Sequence, residues 1–340
     1  MKKTFLIITS ALCILFASCS VVEPDPSLDD KDLVEGYKFS QTISINYGED
    51  GEPQITNPLS GQGVEITNNG QHVTIRSTMT DPVCYELKGT CTEGSVKIYG
   101  EEKFKLSLNG LDMSSTDSCA INIQSSKRCF LVLEDGTTNK ITDGAGYPTD
   151  KEELTSGGED KKGAFFSEGQ VIVSGNGTLE LRGRNKHALA TDEYLRIRSG
   201  NITITNAASD GLHVKEYYWQ EGGEINVNNQ NDGLQCSEGY IKIDSGILNI
   251  VTADDGILTN YGDEPTDTEA IDASITINGG DINIIAMSGK GMYSNGNIYL
   301  NAGKLTITCT KKEKVISTNP TKTASIILVD TETHYTPAQD

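Results

Sequence analysis

A short motif, Gly-x-[Ile/Leu]-x-[Ile/Leu/Val], recurs through the second half of the chain at a nearly fixed spacing. Successive copies are 23, 23, 23, 34 and 23 residues apart. A fixed period in this range is typical of solenoids, because a unit of this length cannot bury its apolar face alone and stacks on its neighbours. At about 3.3 Å per strand residue, the period suffices for one three-sided coil. The motif glycines are Gly177, Gly200, Gly223, Gly246, Gly280 and Gly303.

Alternation inside each motif predicts how the side chains are oriented. Successive side chains of a strand point to opposite faces, so Ile202 and Ile204 point into the coil and Thr203 points outwards. The glycine marks a bend that a side chain would hinder. The sequence therefore predicts an all-β fold, a single-stranded parallel β-helix with about 23 residues per coil. Its outward column reads Glu180, Thr203, Asn226, Asn249, Asn283 and Thr306.

A second column begins each coil, and three of its members belong to the dipeptide Asp-Gly. The intervals along this column are 24, 23, 22, 23 and 35 residues. Adjacent strands lie about 4.8 Å apart, so the aspartates form a row in which neighbours repel by roughly 1 kcal/mol in water. This repulsion favours a cation between them. The column reads Gly163, His187, Asp210, Asp232, Asp255 and Lys290.

Two interpretations of the aspartate row remain open. Asn231 and Asp254 add neighbouring oxygen ligands, and hard oxygen ligands favour calcium over zinc. We therefore predict calcium as the cofactor, bound by Asp210, Asp232, Asp255, Asp254 and Asn231. The alternative is that each aspartate caps its own turn through backbone N–H groups and keeps its charge solvated. No Cys-x-x-Cys or histidine-rich spacing indicates a zinc site.

Two acidic, turn-rich insertions interrupt the repeat, at residues 146–162 and 260–272. We expect both to border the same corner of the coil, because loops crowded on one side of a solenoid usually mark its working face. Aromatic and basic residues are expected near this face, where flat rings suit the binding of sugars. The predicted ligand-binding residues are Trp219, Tyr217, Tyr218, Lys215 and Arg184. Stacking that stabilises the solenoid is the alternative for the aromatic residues, and it is preferred for Tyr194 and Tyr240.

The N-terminal residues are typical of a targeting segment. Lys2 and Lys3 precede a mostly apolar stretch, and Ala17-Ser18-Cys19 resembles a bacterial lipobox. We predict an exported lipoprotein held at the outer membrane or cell surface by a lipid on Cys19, with an ordinary secretory signal as the alternative. The predicted boundaries are a signal peptide at 1–18, an acidic tether at 19–36, a β-helix at 37–330 and a tail at 331–340, with irregular, capping coils at 37–145 and regular coils at 163–312.

Charge and cysteine content restrict the partners. The chain has 28 Lys and Arg against 48 Asp and Glu, a net charge of -20, which repels nucleic acid. We expect a monomer whose only membrane contact is the lipid. Six cysteines lie outside the signal peptide. Export permits disulfides, with Cys84 and Cys91 as the most local pair, but burial as small apolar side chains in a β core is an equally good interpretation.

Several segments together resemble a known family. Residues 112–143, the segment GAFFSEGQVIVSGNGTLEL and the DGL and DGI coils are similar, in this order, to the bacterial carbohydrate-binding right-handed β-helix family. The resemblance covers about residues 40–310. It implies a right-handed β-helix similar to polysaccharide lyases, which binds calcium at the DG coils and takes acidic or cellulosic polysaccharide without established catalysis. Lys290 departs from the acidic pattern and limits the cation row to three coils.

Three functions are compatible with these observations. The first, which we predict, is calcium-dependent binding of polysaccharide, either acidic and pectin- or polygalacturonate-like or cellulosic, by a surface lipoprotein without catalysis. The second is a calcium-assisted polysaccharide lyase, which needs a base to remove the proton beside a carboxylate. Lys215, Arg184, His187 and His213 are candidates, but they form no tight constellation in the sequence. The third is a structural surface protein or adhesin that uses the β-helix as a rigid spacer.

Overall fold

The computed structural model describes residues 30–39, 41–149, 158–260, 273–310, 314–318 and 325–328, together with the backbone of 332–337. The chain divides into two units, Met1–Lys38 and Phe39–Asp340. In the first unit a 3-10 turn spans Val34–Gly36, and the hydroxyl of Tyr37 donates a hydrogen bond to the carbonyl oxygen of Lys31 at 3.1 Å. No helix among the described residues is long and apolar enough to cross a membrane.

The second unit is a parallel β-solenoid of about nine turns with roughly 24 residues per turn. Each regular turn passes through one strand on each of three faces, and every strand pairs in parallel with its counterparts in the neighbouring turns. This architecture confirms the predicted parallel β-helix.

The three faces consist of the following strands. The first face contains β5 (Val83–Cys91), β7 (Phe104–Ser114), β9 (Cys129–Leu133), β12 (Val171–Gly175), β15 (Leu195–Ile197), β18 (Tyr217–Gln220), β21 (Tyr240–Ile243), β24 (Ile275–Ile277), β27 (Ile298–Leu300) and β30 (Ile326–Leu328). The second contains β10 (Thr138–Thr142), β13 (Thr178–Gly183), β16 (Asn201–Ala207), β19 (Glu224–Asn229), β22 (Ile247–Thr252), β25 (Asp281–Ala286), β28 (Lys304–Cys309) and β31 (Glu332–Pro337). The third contains β3 (Val64–Asn69), β4 (His72–Ser77), β6 (Ser95–Gly100), β8 (Ile121–Ile123), β11 (Gly163–Ser167), β14 (His187–Thr191), β17 (Leu212–Val214), β20 (Leu234–Cys236), β23 (Ile257–Thr259), β26 (Met292–Ser294) and β29 (Ile316–Thr318).

The N-terminal part of the solenoid is less regular. Strand β1 (Thr42–Tyr47) pairs antiparallel with β2 (Pro53–Thr56), and β3 pairs antiparallel with β4. The long strand β7 continues from the first face onto the second, where its end pairs with β10. Hairpins at this end cover the outermost parallel strands, and covered edges protect a sheet from pairing with other chains.

The core follows the predicted alternation. Ile202 and Ile204 are fully buried, and the aliphatic pairs of the other motifs are buried in the same way. The outward column is also aligned as predicted, and the side-chain amide of Asn249 donates to the side-chain oxygen of Asn226 at 2.8 Å. Five of the six motif glycines have φ between 74° and 102°, a left-handed conformation that side chains disfavour.

Three details of the fold differ from the predictions. Strand β31 lies in the predicted tail and pairs with β28, so the solenoid continues further than expected. The insertion at 146–162 joins β10 to β11 at the second corner of the coil, between the second and third faces, whereas that at 260–272 joins β23 to β24, between the third and first faces. The prediction that both border the same corner is therefore wrong, because spacing along the chain does not identify the corner. Residues 150–157 and 261–272 of these insertions lie outside the described residues.

The cysteines support the second of the two interpretations left open above. All six outside the N-terminal segment are buried. Cys84 and Cys91 lie near opposite ends of the nine-residue strand β5, whereas a disulfide needs Cα atoms within about 7 Å. These cysteines therefore act as small apolar core residues.

Candidate functional site

The aspartate row lies at the corner between the second and third faces, directly before the third-face strands. Strand pairing aligns Gly163 with His187 and continues in the same register through β17, β20, β23 and β26. The predicted alignment of the column is therefore confirmed. Repeated burial of one strand face in every turn fixes this register, because a slip of one residue would expose the core side chains.

Side chains of the column accept hydrogen bonds from the backbone of the next coil. The N–H of Asp255 donates to Oδ1 of Asp232 at 3.0 Å, and the N–H of Lys290 donates to Oδ1 of Asp255. At the other end, the N–H of Asp210 donates to Nδ1 of His187 at 3.2 Å. The column therefore joins successive coils through hydrogen bonds. In the turn-capping alternative each aspartate would accept N–H groups of its own turn, whereas here each side chain accepts an N–H group of the next coil.

At its His187 end the column forms a histidine-carboxylate cluster. Asp210 is buried, and its Oδ2 lies 2.9 Å from Nδ1 of His213 and 3.2 Å from Nδ1 of His187. The two imidazole rings are stacked, with centroids 4.2 Å apart. The side-chain amide of Asn231 donates to the other carboxylate oxygen, Oδ1, at 2.6 Å. Sequence reasoning missed this cluster, although the column position of His187 and the i, i+3 spacing of Asp210 and His213 were available signals.

The electrostatics of the cluster keep the aspartate charged. Burial lowers the pKa of His187 to about 4, against the opposing effect of Asp210, so this imidazole is neutral near pH 7. Burial alone would raise the pKa of Asp210. The contacts of its carboxylate with His187 and His213 outweigh burial and hold that pKa well below its usual range.

The other end of the row contains only oxygen ligands. Burial raises the pKa of Asp232 to about 7, and the negative charges of Asp210 and Asp255 add to this effect. Burial also raises the pKa of Asp255, while the neighbouring Asp254 is exposed. Among the described residues, the side chain of Asp232 accepts only the backbone hydrogen bond from Asp255. The ionised form of Asp232 is therefore poorly compensated.

The row borders a groove on the outer side of the third face. The groove has a volume of about 480 Å³, and Asp210, His213 and Asp232 line it together with Lys186 and Lys215. Carboxylates and ammonium groups thus share one polar surface. Arg184, by contrast, is exposed but does not line this groove, and its backbone N–H donates to the buried Asp143.

A second acidic group near the groove already has a counter-ion. Asp160, Glu168 and Asp192 bring carboxylate oxygens within 4.8 Å of one another. Nζ of Lys162 lies 3.1 Å from Asp160 and 2.9 Å from Asp192. This lysine occupies the place that a cation would take, so the group is a weaker candidate for a metal site than His187, Asp210 and His213, whose ligand atoms also lie within 4.8 Å of one another.

The predicted aromatic residues lie on the first face, beyond the third-face strand that follows Asp210. Tyr218 points into the core and is fully buried, so the prediction that it contacts a ligand is wrong. Tyr217 stacks between Tyr194 and Tyr240, with centroid distances of 4.4 and 5.0 Å. This ladder agrees with the structural alternative for those two tyrosines.

Cations cover the ring of Trp219. The guanidinium of Arg196 lies 4.1 Å and the ammonium of Lys242 4.4 Å from the ring centroid, and strand pairing puts these residues on either side of Trp219. The indole N–H donates to Asp244 at 2.7 Å. The ring is therefore held by ion contacts within the sheet and does not offer an open face for a sugar. Cys19 lies outside the described residues.

The fold and the groove define a class of protein, a parallel β-solenoid with a mixed-charge polar groove along one face. Residues 69–319 match the family described as carbohydrate-binding domain-containing protein, and the chain belongs to that family. A relative of the same description from Acetivibrio thermocellus is 29% identical over 129 residues, 37% of this chain and 43% of the relative. The chain thus spans less than half the length of that relative.

A solved structure shares the architecture. The gadolinium derivative of the polysaccharide lyase-like protein from C. thermocellum is 21% identical and matches with a TM-score of 0.58. The match covers 86% of this chain and 99% of that chain. Since the identity is low, the likeness supports the fold, and it leaves the function to be argued from the site.

Proposed function

We propose that this protein binds polysaccharide in the third-face groove without catalysis, as an exported protein anchored through a lipid on Cys19. Membership of the carbohydrate-binding family supports a glycan as the ligand. The observation that carries the proposal is the groove itself, in which the carboxylates of Asp210 and Asp232 lie beside Lys186 and Lys215. Such a surface is suited to a linear polymer with hydroxyl and carboxylate groups.

Calcium is proposed as the ion that joins the protein to an acidic polymer. Asp232, Asp254 and Asp255 supply only oxygen ligands, which Ca²⁺ prefers. The raised pKa of Asp232 marks a buried carboxylate that a cation would stabilise in its ionised form. When bound there, the ion supplies positive charge for a uronate carboxylate. Lys186 and Lys215 add to this positive charge. The side-chain amide of Asn231 donates a hydrogen bond to Asp210. We therefore assign these two residues a smaller role in calcium binding than the sequence predicts.

The test is retention on immobilised polygalacturonate, with cellulose as a second matrix. We expect retention in calcium, loss in chelator, and weak retention of Asp232→Asn and Asp255→Asn in both conditions. Lys304→Ala, on the second face, is the matched control and should behave as wild type. Retention unchanged by chelator would refute the calcium bridge, and retention on cellulose alone would replace the acidic polymer with a cellulosic one.

Two further measurements separate the alternatives. Appearance of ultraviolet-absorbing unsaturated uronate on incubation with pectate and calcium would identify a lyase and overturn the non-catalytic proposal. Absence of binding to every polymer on a glycan array, with and without calcium, would favour the structural or adhesin role.

A further inference from the structure

We propose that His187, Asp210 and His213 form a binding site for a divalent transition metal of the zinc class, separate from the proposed calcium ligands. The three residues come from two successive coils: His187 and Asp210 are neighbours in the column, and His213 lies on β17, three residues after Asp210. One candidate ligand atom from each lies within 4.8 Å of the other two.

The distances are close to those around one ion. Metal–ligand bonds of about 2.1 Å in a tetrahedral site place neighbouring ligand atoms about 3.4 Å apart. The observed separations from Oδ2 of Asp210 are 2.9 Å to His213 and 3.2 Å to His187. An ion could therefore enter with shifts of a few tenths of an ångström at these two contacts.

Contacts around the cluster prepare the ligands. Asn231 holds Oδ1 of Asp210 and leaves Oδ2 directed towards the histidines. Nδ1 of His187 accepts the N–H of Asp210 with its single lone pair, so a metal bound at this nitrogen would replace that hydrogen bond. Nδ1 of His187 and Oδ2 of Asp210 lie 3.2 Å apart in a buried place. A cation between the two atoms would be within reach of both.

His213 has to move when the metal binds. The imidazole planes differ by only 22°, so their in-plane lone pairs run side by side, whereas a shared ion needs them to converge. The side chain of His213 is 21% exposed at the groove, which leaves room for its ring to tilt. His187 is buried and stays fixed. The site is therefore completed by one mobile ligand.

The ligand types select the metal. Imidazole nitrogen suits zinc, copper, nickel and iron, whereas calcium prefers oxygen. Two histidines and one carboxylate give three protein ligands, which leaves a coordination position open for water or another ligand. Because the cluster lines the groove, that position lies where the proposed polysaccharide would pass.

The test is metal binding to the full chain after chelator treatment. Isothermal titration with Zn²⁺ and visible absorption with Co²⁺ should both show one ion per chain. His213→Ala should weaken binding at least about tenfold and abolish the Co²⁺ absorption. His72→Gln is the matched control, because His72 is also partly buried but hydrogen-bonds Ser95 on β6, and it should bind as wild type. Circular dichroism verifies that each variant is folded.

The outcomes separate this site from the proposed calcium site. Asp232→Asn should keep the Co²⁺ spectrum while losing calcium-dependent retention on polygalacturonate. Absence of saturable Zn²⁺ binding in the wild type, or equal binding by wild type and His213→Ala, would overturn the proposal whatever the result with calcium.

Discussion

Two aspartates in successive coils, Asp210 and Asp232, hold equivalent positions and have opposite electrostatics. Asp210 is surrounded by His187, His213 and Asn231, and the pKa of its carboxyl lies below its usual range. Asp232 receives one backbone hydrogen bond and lies between two other carboxylates, and its pKa is raised to about 7. Both are buried. The neighbours in the adjacent coils therefore decide what each aspartate does.

This difference divides the column into two chemically distinct halves. The histidine half stabilises an anion and offers nitrogen ligands. The acidic half, Asp232, Asp254 and Asp255, concentrates negative charge and offers only oxygen. A solenoid repeat thus supplies equivalent backbone positions, and single side-chain changes from coil to coil supply different sites.

The largest expected effect is that of Asp210→Asn on stability. The substitution removes a buried carboxylate that contacts His213 and Asn231, and hydrogen bonds to a charged group contribute about 1.5–3 kcal/mol each. We expect the free energy of unfolding to fall by about 3 kcal/mol. Urea denaturation at pH 7.5 in chelator measures it, with Asp254→Asn at an exposed position as the control. An unchanged midpoint would show that the cluster does not stabilise the anion.

Asp232→Asn should change the free energy of unfolding in the opposite direction, towards greater stability. Each unit of pKa shift corresponds to about 1.4 kcal/mol, and allowing for relaxation of the ionised site we expect stability to rise by about 2 kcal/mol at pH 8 in chelator. The folded pKa lies above that of the unfolded chain, so between about pH 4 and pH 7 the folded protein holds a proton that the unfolded chain releases. Wild-type stability therefore contains a contribution that decreases as pH rises through this window.

Urea denaturation at pH 5 and pH 8 checks this prediction. The difference between Asp232→Asn and the wild type should be small at pH 5 and large at pH 8. A difference that shrinks as pH rises would mean that Asp232 is stabilised as an anion, like Asp210, and the comparison between the two halves would fail.

His213→Ala should lower stability by about 1 kcal/mol in chelator, because it removes one partner of the buried Asp210 carboxylate from a partly exposed position. A double-mutant cycle sharpens the result. Coupling of His213→Ala with Asp210→Asn should exceed about 0.5 kcal/mol, whereas coupling with Asp232→Asn should be near zero. Equal coupling to both aspartates would contradict the division of the column.

The smallest expected effect on stability is that of Asp254→Asn. Its side chain is exposed, so thermal denaturation in chelator should match the wild type. Calcium should then raise the midpoint of the wild type more than that of Asp254→Asn, since one oxygen ligand is lost. An equal calcium-dependent shift in both proteins would exclude Asp254 from the proposed ion site.

The alternation of inward and outward side chains along a strand predicted their orientation correctly where the motif repeats without interruption. Ile202, Ile204 and Asn226 are oriented as predicted, because burial in every coil leaves one register. The same rule, applied to Tyr217, Tyr218 and Trp219, would have put Tyr218 in the core. Grouping the three residues by their aromatic character obscured the alternation. Which neighbours cover Tyr217 and Trp219 depends on strands 23 residues away, in the coils before and after.

The sequence by itself determined the repeat, the parallel β-helix, the inward aliphatic residues and the alignment of the column, since all of these depend on spacing along the chain. Only the tertiary structure decided which corner each insertion occupies, that Cys84 and Cys91 lie apart, and that Asp210 is held by two histidines while Asp232 is not. The physical reason is the distance along the chain over which the deciding contacts form. Periodicity records the contacts that every coil repeats, whereas the pKa of a carboxylate depends on burial and on the particular charges that three-dimensional packing brings within a few ångströms.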